Sequence, residues 1–216
     1  RANFNAYVTN WTDRTLSSFG TDDNGTPDDD QDDFDTTTLQ RGITQYHSGA
    51  ELDVRYRATD WLSFQGFISA GSWTYKGEAV VSTYNADTNE QIGETSTVNR
   101  DGIKVSTAPQ FTTGIGFDAK IASGLSIDAR IKYNDNHYEF TNENTSKEDY
   151  TGAQLGSYAL TNAGITYRFS LGNSNRMTFR ANMFNVFDKV AIQQTDRFGY
   201  FTTGGRTFNA SMRYEF

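Results

Sequence analysis

Residues 207–216 read TFNASMRYEF, and apolar and polar side chains alternate through them without a break. The apolar positions are Phe208, Ala210, Met212, Tyr214 and Phe216. Successive side chains of a β-strand point to opposite faces. The stretch therefore predicts a strand with one apolar and one polar face.

The same alternation, with some irregularity around Phe67 and Trp73, recurs in seven segments upstream. These segments are about Ala2–Trp11, Thr44–Arg57, Trp61–Gly77, Pro109–Ile121, Leu125–Phe140, Tyr158–Phe169 and Met177–Phe187. Together with about Arg206–Phe216 they predict eight strands.

The connections between these strands alternate in length. Three are short, with the sequences ATD, ASG and SLGNSN, and four are long, at about residues 14–42, 78–107, 141–157 and 189–205. In an antiparallel sheet this alternation places all long connections at one end. Outer-membrane β-barrels show the same asymmetry, with short periplasmic turns and long extracellular loops. The strands are also long enough for a tilted membrane crossing.

The composition agrees with a folded sheet protein. Hydrophobic residues make up 36% of the chain, yet aromatic residues reach 14%, and disordered chains are poor in aromatics. There is no cysteine, which excludes disulfides and thiolate sites, and no apolar run long enough for a membrane-spanning helix. No basic patch is present, so a nucleic-acid partner is not expected.

The polar faces carry charges of both signs, as in Glu51, Asp53, Arg55 and Arg57. A water-filled barrel lumen accepts such residues, while the apolar face meets lipid. Trp11, Trp61, Tyr133, Tyr167 and Tyr214 lie near strand ends and are predicted to form aromatic girdles. A soluble antiparallel sandwich is the alternative that this pattern leaves open.

Several segments, in this order, resemble the last third of the barrel of TonB-dependent outer-membrane receptors. They are NFNAYVTNWTDR (3–14), YHSGAELDVRYRATDWLSFQGFIS (46–69), APQFTTGIGF (108–117), RANMFNVFDK (180–189) and GGRTFNASMRYEF (204–216). The penultimate strand of that family ends in an "N-hydrophobic-FD" motif, which Asn185-Val186-Phe187-Asp188 matches. Its final strand follows a Gly-Arg pair, matched by Gly205-Arg206, and ends on Phe.

The resemblance implies that residues 1–216 are the last eight strands of a 22-stranded barrel in the bacterial outer membrane. The plug domain and the TonB-contacting segment are then expected outside these residues. The implied function is active import of a scarce nutrient with energy from TonB. Alternatives are a stand-alone eight-stranded barrel with an adhesion or structural role, and a soluble carbohydrate-binding β-sandwich.

The resemblance also implies partners. They are the lipid bilayer with its lipopolysaccharide, the TonB complex through the plug region, the outer-membrane assembly machinery, and a surface lipoprotein. Phe208, Met212, Tyr214 and Phe216 resemble the C-terminal signal that the assembly machinery reads.

Catalysis is not expected from this sequence. The two histidines, His47 and His137, each lie in strand-like sequence, and neither a nucleophile elbow nor a histidine pair at metal-ligand spacing is present. A hydrogen-bonded role in the lumen or at its rim is the simpler interpretation of both.

Ligand capture by aromatic side chains in the loops is the alternative to enzyme chemistry, because planar rings stack on cyclic ligands. The candidates are Tyr75, Tyr84, Tyr138, Phe140, Tyr150, Arg197, Phe198, Tyr200 and Phe201. Arg197 is expected to bind an anionic group on a ligand. Packing of loop against loop would explain the same aromatics without a ligand.

The stretch TDDNGTPDDDQDDFD (21–35) contains eight aspartates, as many negative charges as the net charge of −8. Asp28, Asp30 and Asp32 resemble the start of a calcium loop, but Asp33 stands where that loop has glycine, and the later glutamate is missing. The sequence therefore leaves a Ca²⁺ site and a solvated extracellular loop both open, and no other cofactor is expected.

Overall fold

The computed structural model describes residues 1–28, 31–106, 108–140, 146–172, 175–196 and 198–216, and all regular elements in these ranges are β-strands. The strands are β1 (Ala2–Asp22), β2 (Phe34–Arg57), β3 (Leu62–Lys76), β4 (Glu78–Asn85), β5 (Gln91–Asn99), β6 (Phe111–Ala122), β7 (Leu125–Asp135), β8 (Tyr158–Leu171), β9 (Asn175–Phe184), β10 (Ile192–Asp196), β11 (Gly199–Thr202) and β12 (Thr207–Glu215). Among the described residues we find no apolar helix of the length that a bilayer crossing requires.

The eight predicted strands correspond to β1, β2, β3, β6, β7, β8, β9 and β12. They lie side by side in chain order, and each pairs antiparallel with the next. The expected all-β antiparallel architecture is therefore confirmed.

The segments predicted as long loops contain additional strands. The β1–β2 ribbon continues to the pair Asp22↔Phe34, well past the membrane-length part of the sheet. The β4–β5 hairpin pairs with β2 over Thr36–Arg41, and β10 and β11 form a separate two-stranded sheet. These segments are rich in Ser, Thr and Asn and have no continuous apolar face, so period-two hydrophobicity did not reveal them.

One face of the large sheet is apolar and open. The register aligns Phe4, Leu52 and Ile68 across β1, β2 and β3, and Ile115 with Ile131 across β6 and β7. Phe4 is 72% exposed and Ile115 is 60% exposed. A contiguous apolar surface of this extent marks contact with lipid or another apolar partner. A soluble sandwich would need a second sheet on this face; the other sheet among the described residues, β10–β11, contributes to a cavity on the polar face.

Aromatic rings border this apolar face at both ends. At the end with the short turns, Phe169 stacks between Tyr167 and Phe179, with ring centroids 5.4 and 6.1 Å apart. At the other end Phe111 meets Tyr133 edge to face at 6.3 Å. Aromatic girdles at the two membrane interfaces have this placement.

The prediction that Trp11 belongs to an aromatic girdle is wrong. Its ring lies on the polar face, stacked against His47.

Apart from Ala119 beside the short β6–β7 turn, the best-buried apolar side chains of the described residues lie at the end of the sheet that carries the long connections. They are Ile43, Ala79, Ile103, Val105 and Leu155, each at most 5% exposed. The apolar face of the membrane-length strands remains open, so the packed core of this chain is the loop layer. That layer positions the candidate site.

Candidate ligand-binding site on the polar face

An imidazole lies between two indoles on the polar face near the loop end. Trp11, His47 and Trp73 come from β1, β2 and β3, and His47 is 5.4 Å from Trp11 and 5.2 Å from Trp73 between ring centroids. The rings are nearly parallel, at 15° and 13°. The register pairs His47 with Trp73 directly, so strand pairing assembles the stack.

Glycines beneath the stack allow large side chains to lie flat on the sheet. The indole Nε1 of Trp73 donates a hydrogen bond to the Tyr7 hydroxyl at 3.0 Å. A Cβ on Gly49 would lie 2.6 Å from that hydroxyl, and one on Gly71 would lie 2.9 Å from Trp73 Nε1. Both positions therefore require glycine for this arrangement.

A β-bulge places a cation beside the stack. The register of β1 shifts between Trp11 and Arg14, where Asp13 adopts φ of 55°. The Arg14 guanidinium then lies over the Trp11 ring, 5.2 Å from its centroid, and donates a hydrogen bond to Oε1 of Gln45.

The segment after β5 extends the sheet beside the end of β3. The amide of Tyr75 donates to the carbonyl of Ile103 at 2.8 Å, and the amide of Val105 donates to the carbonyl of Trp73 at 3.0 Å. Ile103 and Val105 are 0% and 1% exposed. This anchoring fixes the segment that carries two further cations.

Those cations are Arg100 and Lys104, and each lies over an aromatic ring. Arg100 is 4.6 Å from the centroid of Tyr75, and it donates to Gln40 Oε1 at 3.2 Å. Lys104 Nζ is 5.8 Å from the centroid of Tyr138. Cation–π contacts of this kind position the two cationic groups over the rings.

The β10–β11 hairpin closes one side of the site. His137, 1% exposed, is hydrogen-bonded through Nε2 to the carbonyl of Ile192 at 3.2 Å. The amide of Phe140 donates to Oγ1 of Thr195 at 2.6 Å. The β7–β8 connection and the hairpin are thus joined by two polar contacts.

A cavity of about 460 Å³ lies between these elements. Its lining consists of Trp11, Arg14, Leu16, Gln45, His47, Tyr75, Arg100, Lys104, Val105, Ser106, Phe140, Gln194, Thr195 and Asp196. The volume falls in the range of sites for small organic ligands. Among the described residues, three cationic side chains and one carboxylate line it.

Four of the predicted ligand residues lie together here. Tyr75 and Phe140 line the cavity. Tyr138 lies under Lys104, and the Tyr150 hydroxyl accepts a hydrogen bond from the Lys104 amide at 3.3 Å. Burial raises the pKa of the Tyr150 hydroxyl above its ordinary value of 10.0.

The other predicted ligand residues are more dispersed. Phe198 and Tyr200 border a shallower depression that shares Phe140 with the cavity. Phe201 is on β11 and lines neither space, and Tyr84 is on β4, paired with Thr37. Arg197 is outside the described residues. No ligand contact is yet tested for any of these side chains.

Sequence reasoning missed the residues that build the inner wall. Trp11 was assigned to the membrane interface and His47 to a hydrogen-bonded role in the lumen or at its rim without its aromatic neighbours, and Arg14, Arg100 and Gln45 were not singled out. The polar-face position of Trp73 was a usable signal, because a tryptophan among lumen-facing residues needs a partner.

The Asn185-Val186-Phe187-Asp188 motif closes the base of the last long loop. Asn185, 5% exposed with φ of 50°, donates to the carbonyls of Lys189 and Gly204 at 3.0 and 2.8 Å and accepts from the Lys189 amide at 2.9 Å. Asp188 Oδ1 accepts from the Arg206 amide at 2.7 Å. The motif therefore joins the end of β9 to the start of β12 and carries the β10–β11 hairpin between them.

The acidic stretch forms the tip of the β1–β2 ribbon. Asp32 accepts hydrogen bonds from Thr26 Oγ1 at 2.7 and 2.8 Å and from Asn24 Nδ2 at 3.2 Å, and these lower the pKa of its carboxyl. Asp30 is outside the described residues. Among the remaining residues, Asp28 and Asp32 included, no group of three metal-ligating side chains is placed to hold an ion. The Ca²⁺ site stays a prediction.

The predicted assembly-signal residues share the apolar face of β12. Phe208, Met212 and Phe216 are 67%, 63% and 96% exposed, and Tyr214 lies 6.1 Å from Phe216 between centroids. This placement suits lipid contact, and recognition by assembly machinery remains a prediction.

Comparison with known families places most of the chain in one of them. The sequence model described as "TonB dependent receptor-like, beta-barrel" matches residues 1–186. No curated protein matches the chain. The matched region includes every strand of the membrane-length sheet except β12.

Proposed function

Since the chain belongs to the TonB-dependent receptor β-barrel family, we propose that it is part of a receptor that captures a nutrient at the cell surface and imports it with energy from TonB. The family is one of outer-membrane transport receptors, which supports a transport role and a bacterial outer-membrane setting. The energy coupling and the substrate are the parts that we propose.

The observation that carries the proposal is a cavity on the polar side of a sheet whose other side is apolar and open. The apolar side contacts lipid, so the polar side faces the barrel interior. The cavity lies at the end with the long connections, which we place outside the cell. A ligand bound there would sit at the outer entrance of the barrel.

Uptake measurements test this function. Cells with the gene deleted should lose high-affinity uptake of one scarce nutrient, and the loss should match that in cells without TonB or with a collapsed proton gradient. Growth on a panel of limiting nutrients identifies the nutrient. Uptake that continues unchanged in the absence of TonB would contradict the proposed energy coupling.

A further inference from the structure

The geometry points to a ligand that combines an anionic group with a planar ring, bound in the cavity between the Trp11–His47–Trp73 stack and the β10–β11 hairpin. This inference rests on the proposed function only where it takes the bound ligand to be the nutrient that the receptor imports. The binding chemistry stands on the cavity itself.

The charge of the cavity is opposite to that of the chain. The chain carries a net charge of −8, yet Arg14, Arg100 and Lys104 converge on this space. The one carboxylate among the described lining residues, Asp196, accepts hydrogen bonds from the amides of Phe198 and Gly199 at 2.7 and 3.1 Å. Oδ1 of Asp196 is thus engaged within its own turn.

Two of the cations retain capacity for an anion. Within the described parts of the chain, Arg14 and Lys104 form no ion pair with a carboxylate. Their contacts are with an aromatic ring and with neutral oxygens. A guanidinium and an ammonium in a partly enclosed space favour a carboxylate or phosphate oxygen over a neutral group.

The remaining walls favour a ring. Trp11, His47, Tyr75 and Phe140 line the cavity, and Val105 adds an apolar side. The two indoles cover both faces of His47, so this ring offers only its edge. Aromatic surface binds planar ligands by stacking with little loss of side-chain entropy. A neutral glycan would use the rings and leave Arg14 and Lys104 without an anionic group to bind, so the cavity discriminates against it.

Binding of matched probes to the purified full-length receptor tests the inference. Equilibrium dialysis in detergent compares 2-naphthoate with its neutral counterpart 2-naphthamide, and with cyclohexanecarboxylate, which has the charge without the aromatic ring. We expect 2-naphthoate to bind at least fivefold more tightly than either of the others. Equal binding of naphthoate and naphthamide, or no binding of naphthoate, would overturn the inference.

Charge variants test whether Arg14 and Lys104 bind the anionic group of the probe. Arg14→Gln and Lys104→Gln should each weaken naphthoate binding at least threefold and leave naphthamide unchanged, while Arg14→Lys should keep the preference for the anion. Lys132→Gln is the control, because Lys132 is on the polar side of β7 and does not line the cavity. A loss in Lys132→Gln equal to that in Arg14→Gln would contradict the assigned site.

The dialysis result is separable from the uptake result. TonB-dependent uptake without a preference for the anionic probe would reject the ligand class and retain the transport function. A preference for the anionic probe without TonB-dependent uptake would retain the site and reject the transport function.

Discussion

Arg180 on β9 reaches Asp128 on β7 across the whole width of β8. Arg180 Nη1 and Nη2 lie 2.9 and 3.2 Å from the two carboxylate oxygens, and Nη1 also donates to Thr166 Oγ1 at 2.8 Å. The side chain passes over Gly164, where an added Cβ would lie 2.7 Å from Nη2. Gly164 on β8 thus permits a charged contact between the two neighbouring strands, β7 and β9.

Gly164→Ala is therefore expected to displace Arg180 and weaken its pairing with Asp128. Loss of a charge-assisted contact of this kind costs about 1–2 kcal/mol of unfolding free energy at a partly exposed site. Urea unfolding in detergent micelles measures it. Gly156→Ala is the matched control, because a Cβ there meets nothing within 4 Å. Equal stability of the two variants would show that the contact is not required.

Asn185→Ala should loosen the last long loop. The substitution removes three side-chain hydrogen bonds to Lys189 and Gly204 and places alanine at a left-handed φ. We expect faster chymotrypsin cleavage at the exposed Phe198 and Tyr200. Asn185→Gly separates the causes, since glycine tolerates the backbone but lacks the hydrogen bonds. A cleavage rate that is unchanged in both variants would refute this role of the motif.

The ion pair between Asp101 in the β5–β6 connection and Lys147 in the β7–β8 connection should depend on pH. Lys76, with a smaller effect from Lys147, lowers the pKa of Asp101 below its ordinary value of 3.8. A lowered folded-state pKa means that this stabilisation is complete above about pH 3.8 and is lost as the pH falls through the folded value.

The Lys147 amide donates to the Asn99 carbonyl at 2.7 Å, and its hydrogen exchange, corrected for intrinsic rates, measures this loss. Protection should fall in acid, and Asp101→Asn should show the lower protection already at neutral pH. A variant with wild-type protection at both pH values would exclude the ion pairs as the cause.

Ile131→Arg should strongly destabilise the barrel. Ile131 lies on the apolar face between Ile115 and Thr161, and an arginine facing lipid near the bilayer midplane costs about 2–4 kcal/mol. Unfolding in lipid vesicles measures the change. Lys132→Arg, one residue further along β7 on the polar face, should be almost neutral. A similar loss in both variants would contradict the assignment of the faces.

The sequence predicted the membrane-length strands because each carries an apolar face with period two. The β4–β5 hairpin and the outer half of the β1–β2 ribbon were not predicted, since segments such as LSSFGTD and TTTLQ have no continuous apolar face to reveal them. The strands in these segments are held by backbone hydrogen bonds to one another and to β2.

The site was only partly predictable for a related reason. Alternation assigned Trp73 to the polar face, but it did not supply the register that places His47 beside it. Trp11 has the same parity as Tyr7 and Thr9 on β1, so alternation already placed it on the polar face, and only its position near a strand end suggested the girdle. Loop aromatics such as Phe140 were identified by composition, whereas their convergence with Arg14 depends on tertiary packing.

A nitroxide scan along β7 tests the two-faced sheet most directly. The chain has no cysteine, so single cysteines from Ile127 to Tyr133 can be spin-labelled in the full-length receptor in lipid vesicles, and their collision rates with oxygen and with a water-soluble nickel complex compared. We expect labels at 127, 129, 131 and 133 to collide mainly with oxygen, and those at 128, 130 and 132 mainly with nickel. Collision rates without this alternation, or with the two sets reversed, would contradict a lipid-facing apolar side and a polar interior.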